Sequence, residues 1–314
     1  MTTRPHFEIS VMGRRVQLGA RTIIMGVLNV TPDSFSDGGL YLDSTAAIRR
    51  GVEMARQGAD WIDVGGESTR PGSRPVSAEE ECARVLPVIN GLRRRLPSIP
   101  IAIDTTKGLV AERAGEAGAA VLNDVSGLRF DSGIADVAKA TGVPLVLMHM
   151  RGRPHDMQQR PFAKSIWRSL DDGLARSIER ALALRVRRRQ LILDPGLGFG
   201  KTRAQNFEIL AHLDRLQRFK LPILVGSSRK SFIRAIVSGE ELVPRRSAKD
   251  RRVQAHGAGK ELFSSLPFGD GAAVAIAIIN GAHIVRVHDV EQIVPAVRIA
   301  DAVAEASGRG LRGG

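Results

Sequence analysis

TIIMGVLNV, residues 22–30, runs directly into TPDSFSDGG, residues 31–39. The first nine residues are almost all apolar, as a strand buried on both faces should be. The next nine hold one Pro, two Gly, two Asp and two Ser, so the backbone must turn there. The same abrupt change from a buried strand to a special loop recurs down the chain. It is seen at WIDVGGE (61–67), PIAIDT (100–105), AVLNDVS (120–126) and VPLVLMHM (143–150). LILDPG (191–196), PILVGSS (222–228) and HIVRVHD (283–289) repeat it. Helical patterns lie between these runs. STAAIRRGVEMARQG (44–58) is amphipathic, with Asp43 and Ser44 as candidate caps and Gly58 as its stop. In VSAEEECARVLPVINGLRRRL (76–96), Ser77 stands three residues before Glu80, the spacing of a capping box. AERAGEAG, SIWRSLDDGLARSIERALALRV and AQNFEILAHLDRLQRF continue the alternation. Eight strands alternating with helices predict an α/β fold, a single (β/α)8 TIM barrel over 1–314, with an open doubly wound sheet as the alternative.

Composition agrees. The 314 residues are 43% hydrophobic and 25% charged, a globular balance. Only 4% are aromatic, so Val, Ile, Leu and Ala must build the core. The single cysteine, Cys82, cannot form an intramolecular disulfide and falls in a helical pattern, which makes it structural. No long apolar run and no apolar signal region are present, so the expectation is a cytoplasmic protein with no membrane partner. The net charge of +13 raises the question of nucleic acid. Base-stacking aromatics are scarce and no nucleic-acid module is recognisable, so a small anionic substrate is the better reading. The stretch 239–262 is polar, basic and broken by Pro and Gly, and reads as an exposed loop or insertion.

In a barrel the active site lies at the C-terminal ends of the strands. Read in order, those ends are Asn29; Asp63, followed by Glu67 and Arg70; Asp104; Asn123 and Asp124; Met148 and His149; Asp194; Arg229, Lys230 and Ser231; Arg286 and His288. Taken singly, each has a plain reading. Asp63 and Asp124 suit turns or caps, and His149 suits a satisfied buried histidine. Together they define chemistry. Carboxylates and an Asn amide match the donors and acceptors of an aminopyrimidinone edge. Lys230, Arg286, His288 and Arg70 suit a phosphate-type anion. Neither GSSRKS nor GLGFGKT (196–202) has P-loop spacing; the latter reads as a flexible glycine turn.

NVTPDSFSDGG, DVGGESTRPGS, LNDVSG, LMHMRGRP, DPGLGFGKT, GSSRKSFI and RVHDV together resemble the dihydropteroate synthase family, in order and from about residue 20 to 300. The resemblance implies condensation of a dihydropterin CH2-diphosphate with p-aminobenzoate, giving dihydropteroate and pyrophosphate. It implies pterin contacts at Asp104, Asn123, Met148, Asp194, Gly226 and Lys230, and diphosphate contacts at Asn29, Arg70, Arg286 and His288. Mg2+ near Asn29 and aminobenzoate contacts at Phe35, Thr69, Pro71, Phe199 and Ser231 follow in the same way. Asp104, Lys230, Arg286 and His288 would be the catalytic set. The loops 29–39 and 67–73 would be two mobile lids after the first and second strands, and a homodimer is implied. A pterin-dependent methyl carrier would share some strand-end Asp and Asn residues but not this cationic set. A non-enzymatic basic barrel would have no reason to keep the polar strand ends. The likeness weakens after Ile233, where the family's ER-x-x-G-[ST]-x-A-like helix start is replaced by a basic stretch leading to GDGAAVAIAIINGA.

Overall fold

Valine, isoleucine and leucine at alternate positions drive each strand to bury one face inward and one outward. The result is a closed ring. The computed structural model describes residues 4–31, 40–68, 73–153, 156–157, 164–242 and 259–308. Its strands are β3 (Ile23–Asn29), β4 (Trp61–Gly65), β5 (Ile101–Asp104), β6 (Val121–Asp124), β7 (Leu145–Met148), β8 (Leu191–Asp194), β9 (Leu224–Val225) and β10 (Ile284–Val287). They pair in parallel in the order β8-β7-β6-β5-β4-β3-β10-β9, and a Leu193↔Ile223 bridge joins the two ends. The predicted barrel is therefore formed, and the open sheet is excluded.

Helices α1 (Leu40–Arg56), α2 (Ala78–Arg95), α3 (Gly108–Glu116), α4 (Gly133–Thr141), α5 (Ile166–Ala183), α6 (Arg203–Ala211), α7 (Ser231–Val237), α8 (Gly259–Ile279) and α9 (Val290–Gly308) form the outer layer. Their apolar faces meet the outward strand residues in one continuous core that includes Ile62, Val64, Ile101, Ile103, Leu145 and Leu147. The Ser77 cap is present: its hydroxyl accepts from the Glu80 N–H at 3.1 Å.

Some local expectations are corrected. Asp43 and Ser44 lie inside α1, which starts at Leu40, because Leu-Tyr-Leu extends the helical run back to the Gly pair. AQNFEILAHLDRLQRF is not one helix: at His212 φ and ψ leave the helical region, and a 3-10 turn over Leu213–Phe219 follows. Helices α4 and α9 are not among the helical patterns read from the sequence. Of the supposed insertion 239–262, residues 259–262 belong to α8, while 243–258 lie outside the described residues.

A further element was not anticipated. β1 (Phe7–Val11) and β2 (Arg14–Leu18) form an antiparallel hairpin. Its two turn residues, Met12 and Gly13, both have positive φ (53° and 71°), the turn geometry that matches strand twist. Ile9, Val11 and Leu18 pack under the barrel against Met25, Trp61, Ala102, Val121, Val146, Ile192, Leu224 and Ile284. The hairpin thus plugs the N-terminal end. That apolar layer also fixes strand parity, because the residue two further along each strand points into the same interior, one layer nearer the C-terminal mouth.

Candidate active site

Two residues on from the apolar layer stand Asp63, Asp104, Asn123, Met148, Asp194, Gly226 and Arg286. Register aligns them further: Asn29 pairs with Gly65, Gly65 with Asp104, Asp104 with Asn123, and Met148 with Asp194. One layer of side chains is hydrocarbon and the next carries the chemistry.

Arg286 is the centre of this layer. Its Nε donates to Asp63 Oδ2 at 2.6 Å and its Nη2 to Asp104 Oδ2 at 2.7 Å. Asp63 Oδ2 also accepts from Asn123 Nδ2 at 3.0 Å, while its Oδ1 is buried with no hydrogen-bond partner. Burial disfavours the Arg286 charge, but Asp63 and Asp104 outweigh it and hold the guanidinium above its ordinary pKa. The Asp104 pKa is raised as well, to about 7, which favours its neutral form, because burial and the Asp63 charge together exceed the pull of Arg286.

Asp194 lies across the mouth. It accepts from the Gly196 N–H at 2.6 Å, and burial raises it to about 6 against the fields of Lys230 and Lys201. Lys230 caps α7, and its Nζ stands 4.1 Å from the centroid of the buried Phe199 ring. Burial and Arg286 lower it to about 8, opposed by Asp194 and Asp104. Met148 and Phe199 share a small apolar cluster with Val125, Met150 and Met157, and Met148 pairs in register with Asp194. A side chain at Gly226 would touch Arg286 Cβ at 3.8 Å, so glycine keeps that space open. Asn29 is half-buried, with Oδ1 3.8 Å from where a Gly65 Cβ would stand, in the same corner as Asp104.

His288 is held by a chain of groups that the sequence did not reveal. The Ser228 hydroxyl donates to Asp270 Oδ2 at 3.1 Å, which leaves its oxygen to accept from the His288 backbone N–H and from Nδ1, each at 3.3 Å. Asp270 also accepts from the Arg229 N–H at 2.9 Å. Arg229 itself pairs with Asp289 through two hydrogen bonds and so fastens one strand-end loop to the next. Ser231 opens α7 and is exposed.

The structure thus brings Asn29, Asp104, Asn123, Met148, Asp194, Gly226, Phe199, Lys230, Arg286 and His288 to the C-terminal mouth. Phe35, Thr69, Arg70 and Pro71 lie outside the described residues. Asp124 has the plain role: both its oxygens accept backbone N–H groups of its own loop, from Ser126 and Leu128. His149 is not the satisfied histidine expected, since its Nδ1 is buried without a partner. The GLGFGKT turn is pinned rather than flexible, because the buried Lys201 Nζ donates to the carbonyls of Gly196, Phe199 and His149. Sequence reasoning also missed Lys107, which bridges Glu67 and Glu81 at 2.8 and 2.5 Å and anchors the base of the loop after β4. Strand parity would have found Asp63, two residues after the inward Trp61. Lys107, Lys201 and Asp270 left no such signal, since their partners come from distant loops.

A barrel whose mouth sets carboxylates and an amide beside an apolar cluster is suited to a heterocycle with several ring donors. In agreement, the sequence profile described as "Pterin binding enzyme" matches residues 25–288, which places the chain among the pterin-binding enzymes. It is 42% identical over 285 residues to a dihydropteroate synthase of Synechocystis, covering 91% of each chain. In structure it is similar to Yersinia pestis dihydropteroate synthase in complex with a sulfonamide drug (TM-score 0.81, 38% identity, 96% of this chain and 100% of that one). It is equally similar to Xanthomonas albilineans dihydropteroate synthase with 4-aminobenzoic acid (TM-score 0.81, 38% identity, 95% and 98%). The chain belongs to the dihydropteroate synthase family, transferases of folate synthesis.

Proposed function

We propose that the mouth residues divide the family's reaction among themselves as follows. The reaction joins the CH2 carbon of a 6-hydroxymethyl-7,8-dihydropterin diphosphate to the amine nitrogen of p-aminobenzoate. A C–N bond forms, the C–O bond to diphosphate breaks, the electron pair leaves with pyrophosphate, and the amine sheds a proton. Asp104, Asn123, Asp194 and Lys230 hold the pterin edge, with Met148 and Gly226 lining its slot. Arg286, His288, Asn29 and Arg70 receive the diphosphate. Phe199 and Ser231, with Phe35, Thr69 and Pro71 of the two loops, frame the aminobenzoate.

The observation that carries this reading is Arg286, locked between Asp63 and Asp104 where strands from opposite sides of β3 meet. A preorganised cation placed where negative charge develops stabilises the departing anion without reorganising. Asp104, beside the same guanidinium, is placed to balance positive charge spreading into the pterin as the C–O bond lengthens. The aniline is a weak nucleophile, so positioning contributes more than a strong base and no covalent enzyme intermediate is required.

Asn29 Oδ1 is a hard oxygen donor, and among the described residues no three acids or histidines gather as a protein-only metal site. That set suits Mg2+, which keeps waters and takes phosphate oxygens. Asn29 would hold the ion, which when bound neutralises diphosphate charge. Among the described residues no helix is long and apolar enough to cross a membrane. The lone Cys82 fits a reducing cytoplasm, and a homodimer follows by analogy with the family.

The test is to incubate the purified protein with both substrates and Mg2+ and to measure dihydropteroate and pyrophosphate, with Arg286→Ala alongside. Equal release of both products, lost in the variant, is expected. Turnover unchanged in Arg286→Ala would overturn the assignment.

A further inference from the structure

Beside the catalytic mouth, between the loops after β6 and β7 and the helix α5, lies a second cavity of about 280 Å3. None of the strand-end acids lines it, and neither do Lys230, Arg286 or His288; only Met148 is common to both places. Its wall carries four arginines, Arg129, Arg151, Arg176 and Arg180, together with His149.

Two of the guanidiniums are built into the wall. Arg129 donates to the carbonyls of Ser126 and Gly152, at 3.1 Å each. Arg180 Nη1 donates to the carbonyls of Gly127 and Leu128, at 3.2 and 3.1 Å. Two further groups have buried nitrogens with no partner: Arg151 Nη1 and His149 Nδ1. The His149 residue is only 6% exposed. Its ring is seated against Gly173, where a Cβ would come within 2.4 Å of it, and its Nε2 stands 3.4 Å from the Ser169 hydroxyl. Nδ1 is therefore an unpaired buried polar atom of the wall, whichever ring nitrogen carries the proton.

The carboxylates near the cavity are engaged elsewhere: Asp124 accepts from its own loop, Asp156 Oδ1 accepts from the Arg153 N–H at 2.7 Å, and Asp171 and Asp172 of α5 pair with Arg218 and Arg168. Among the described residues none forms an ion pair with the four arginines. The undescribed positions of the following stretch, 154–155 and 158–163, contain by sequence no Asp or Glu. Burial and the charges of Lys201, Arg129 and Arg151 also hold the His149 pKa well below its ordinary value, as expected in an electropositive enclosure. The unmet buried Arg151 donor and the crowded like charges are costly, and a bound anion relieves both.

We propose that this cavity is a second anion site, which takes a phosphate group through Arg151, Arg176 and His149. Several guanidiniums around one enclosure match a tetrahedral dianion better than a carboxylate, which has two oxygens and a single charge. The volume exceeds what a phosphate alone needs, so a phosphomonoester fits as well as the free ion. Lys201 links the cavity to the mouth, because it ties the His149 carbonyl to that of Gly196 in the turn that also satisfies Asp194.

The experiment is a titration of the full chain with inorganic phosphate at low ionic strength. It is followed by calorimetry and by the 15N resonances of the His149 ring, in wild type, R151Q, R176Q and R286A. Arg176 is exposed, so R176Q keeps the fold. The expected result is a phosphate-dependent His149 shift that persists in R286A. Binding should be weakened about tenfold in R151Q and about fivefold in R176Q, the size of one to two charge-assisted hydrogen bonds. A parallel titration with glycerol 3-phosphate separates the sources: tighter binding than phosphate marks a phosphomonoester site, and equal or weaker binding marks a site for the free ion. An unmoved His149 resonance, or affinities unchanged in R151Q and R176Q, overturns the proposal. Because R286A tests the mouth separately, failure of this cavity and failure of the catalytic assignment give different results.

Discussion

Replacing Asp63 tests the centre of the site. Its Oδ2 accepts from Arg286 Nε and Asn123 Nδ2, and the residue is fully buried. Asp63→Ala removes the acceptor for both donors, while Arg286 keeps Asp104. Breaking a buried pair from one side costs about 3–5 kcal/mol. Asp63→Asn is gentler. Its amide oxygen can still accept from both donors, with the NH2 placed where Oδ1 now lacks a partner, so only the charge assistance is lost, about 1–2 kcal/mol. For a chain of 314 residues, an unfolding entropy of about 2.1 cal/mol/K per residue gives roughly 1.5 °C per kcal/mol. Scanning calorimetry should therefore find the Ala variant melting about 5–8 °C lower and the Asn variant about 2–3 °C lower. A second readout separates position from stability. In the Ala variant Arg286 is held by Asp104 only, so pyrophosphate should bind at least about tenfold more weakly by titration calorimetry, as loss of a charge-assisted contact implies, while the Asn variant, which keeps the acceptor, should lose less. An Ala variant that melts within about a degree of wild type, with pyrophosphate affinity intact, would refute the view that Asp63 positions the cation.

Other outcomes follow from the same layer. Asp194→Ala should abolish pterin binding, measured by fluorescence titration, while pyrophosphate binding is retained. Asp104 at about 7 and Asp194 at about 6 both lie above the ordinary carboxylate value of 3.8. The folded protein thus holds protons that the unfolded chain has released, and the stability these groups lend is full below that value and lost as pH rises through 6–7. The ligand-free melting temperature should fall across that window while pterin affinity rises, as the carboxylates become acceptors. Ser228→Ala, which removes the acceptor facing His288 Nδ1, should weaken pyrophosphate by about fivefold, one hydrogen bond's worth, and shift the pH dependence of that binding, read by calorimetry from pH 5 to 9. Lys201→Met should lower the melting temperature by about 3–6 °C, because it strands three buried carbonyls at about 1–3 kcal/mol each, partly offset by releasing a buried charge.

The barrel and most of the side chains that meet at its mouth were legible in the sequence for one reason. Strand residues alternate strictly, so a run such as PIAIDT states both that it is buried and that Asp104 faces inward with Ala102. The same rule applies to Asn123 after Val121, Asp194 after Ile192 and Arg286 after Ile284. Asp63 obeys it too, although a lone aspartate at a strand end also suits a turn or a cap. Short or terminal elements were less legible. The hairpin β1–β2 has too few residues for a periodic signal, and its task depends on a barrel floor assembled from eight distant strands.

What the chain order could not state is which groups meet across the ring. Arg286 lies 223 residues from Asp63 and 182 from Asp104, and only closure of the barrel makes them partners. The links from Asp270 through Ser228 to His288, the seating of Lys201 under the glycine turn and the arginine-lined cavity by α5 arise in the same way. Local periodicity is set by bond geometry and read directly from neighbouring residues. Charge pairing and burial depend on distances through space, which exist only once the strands have closed.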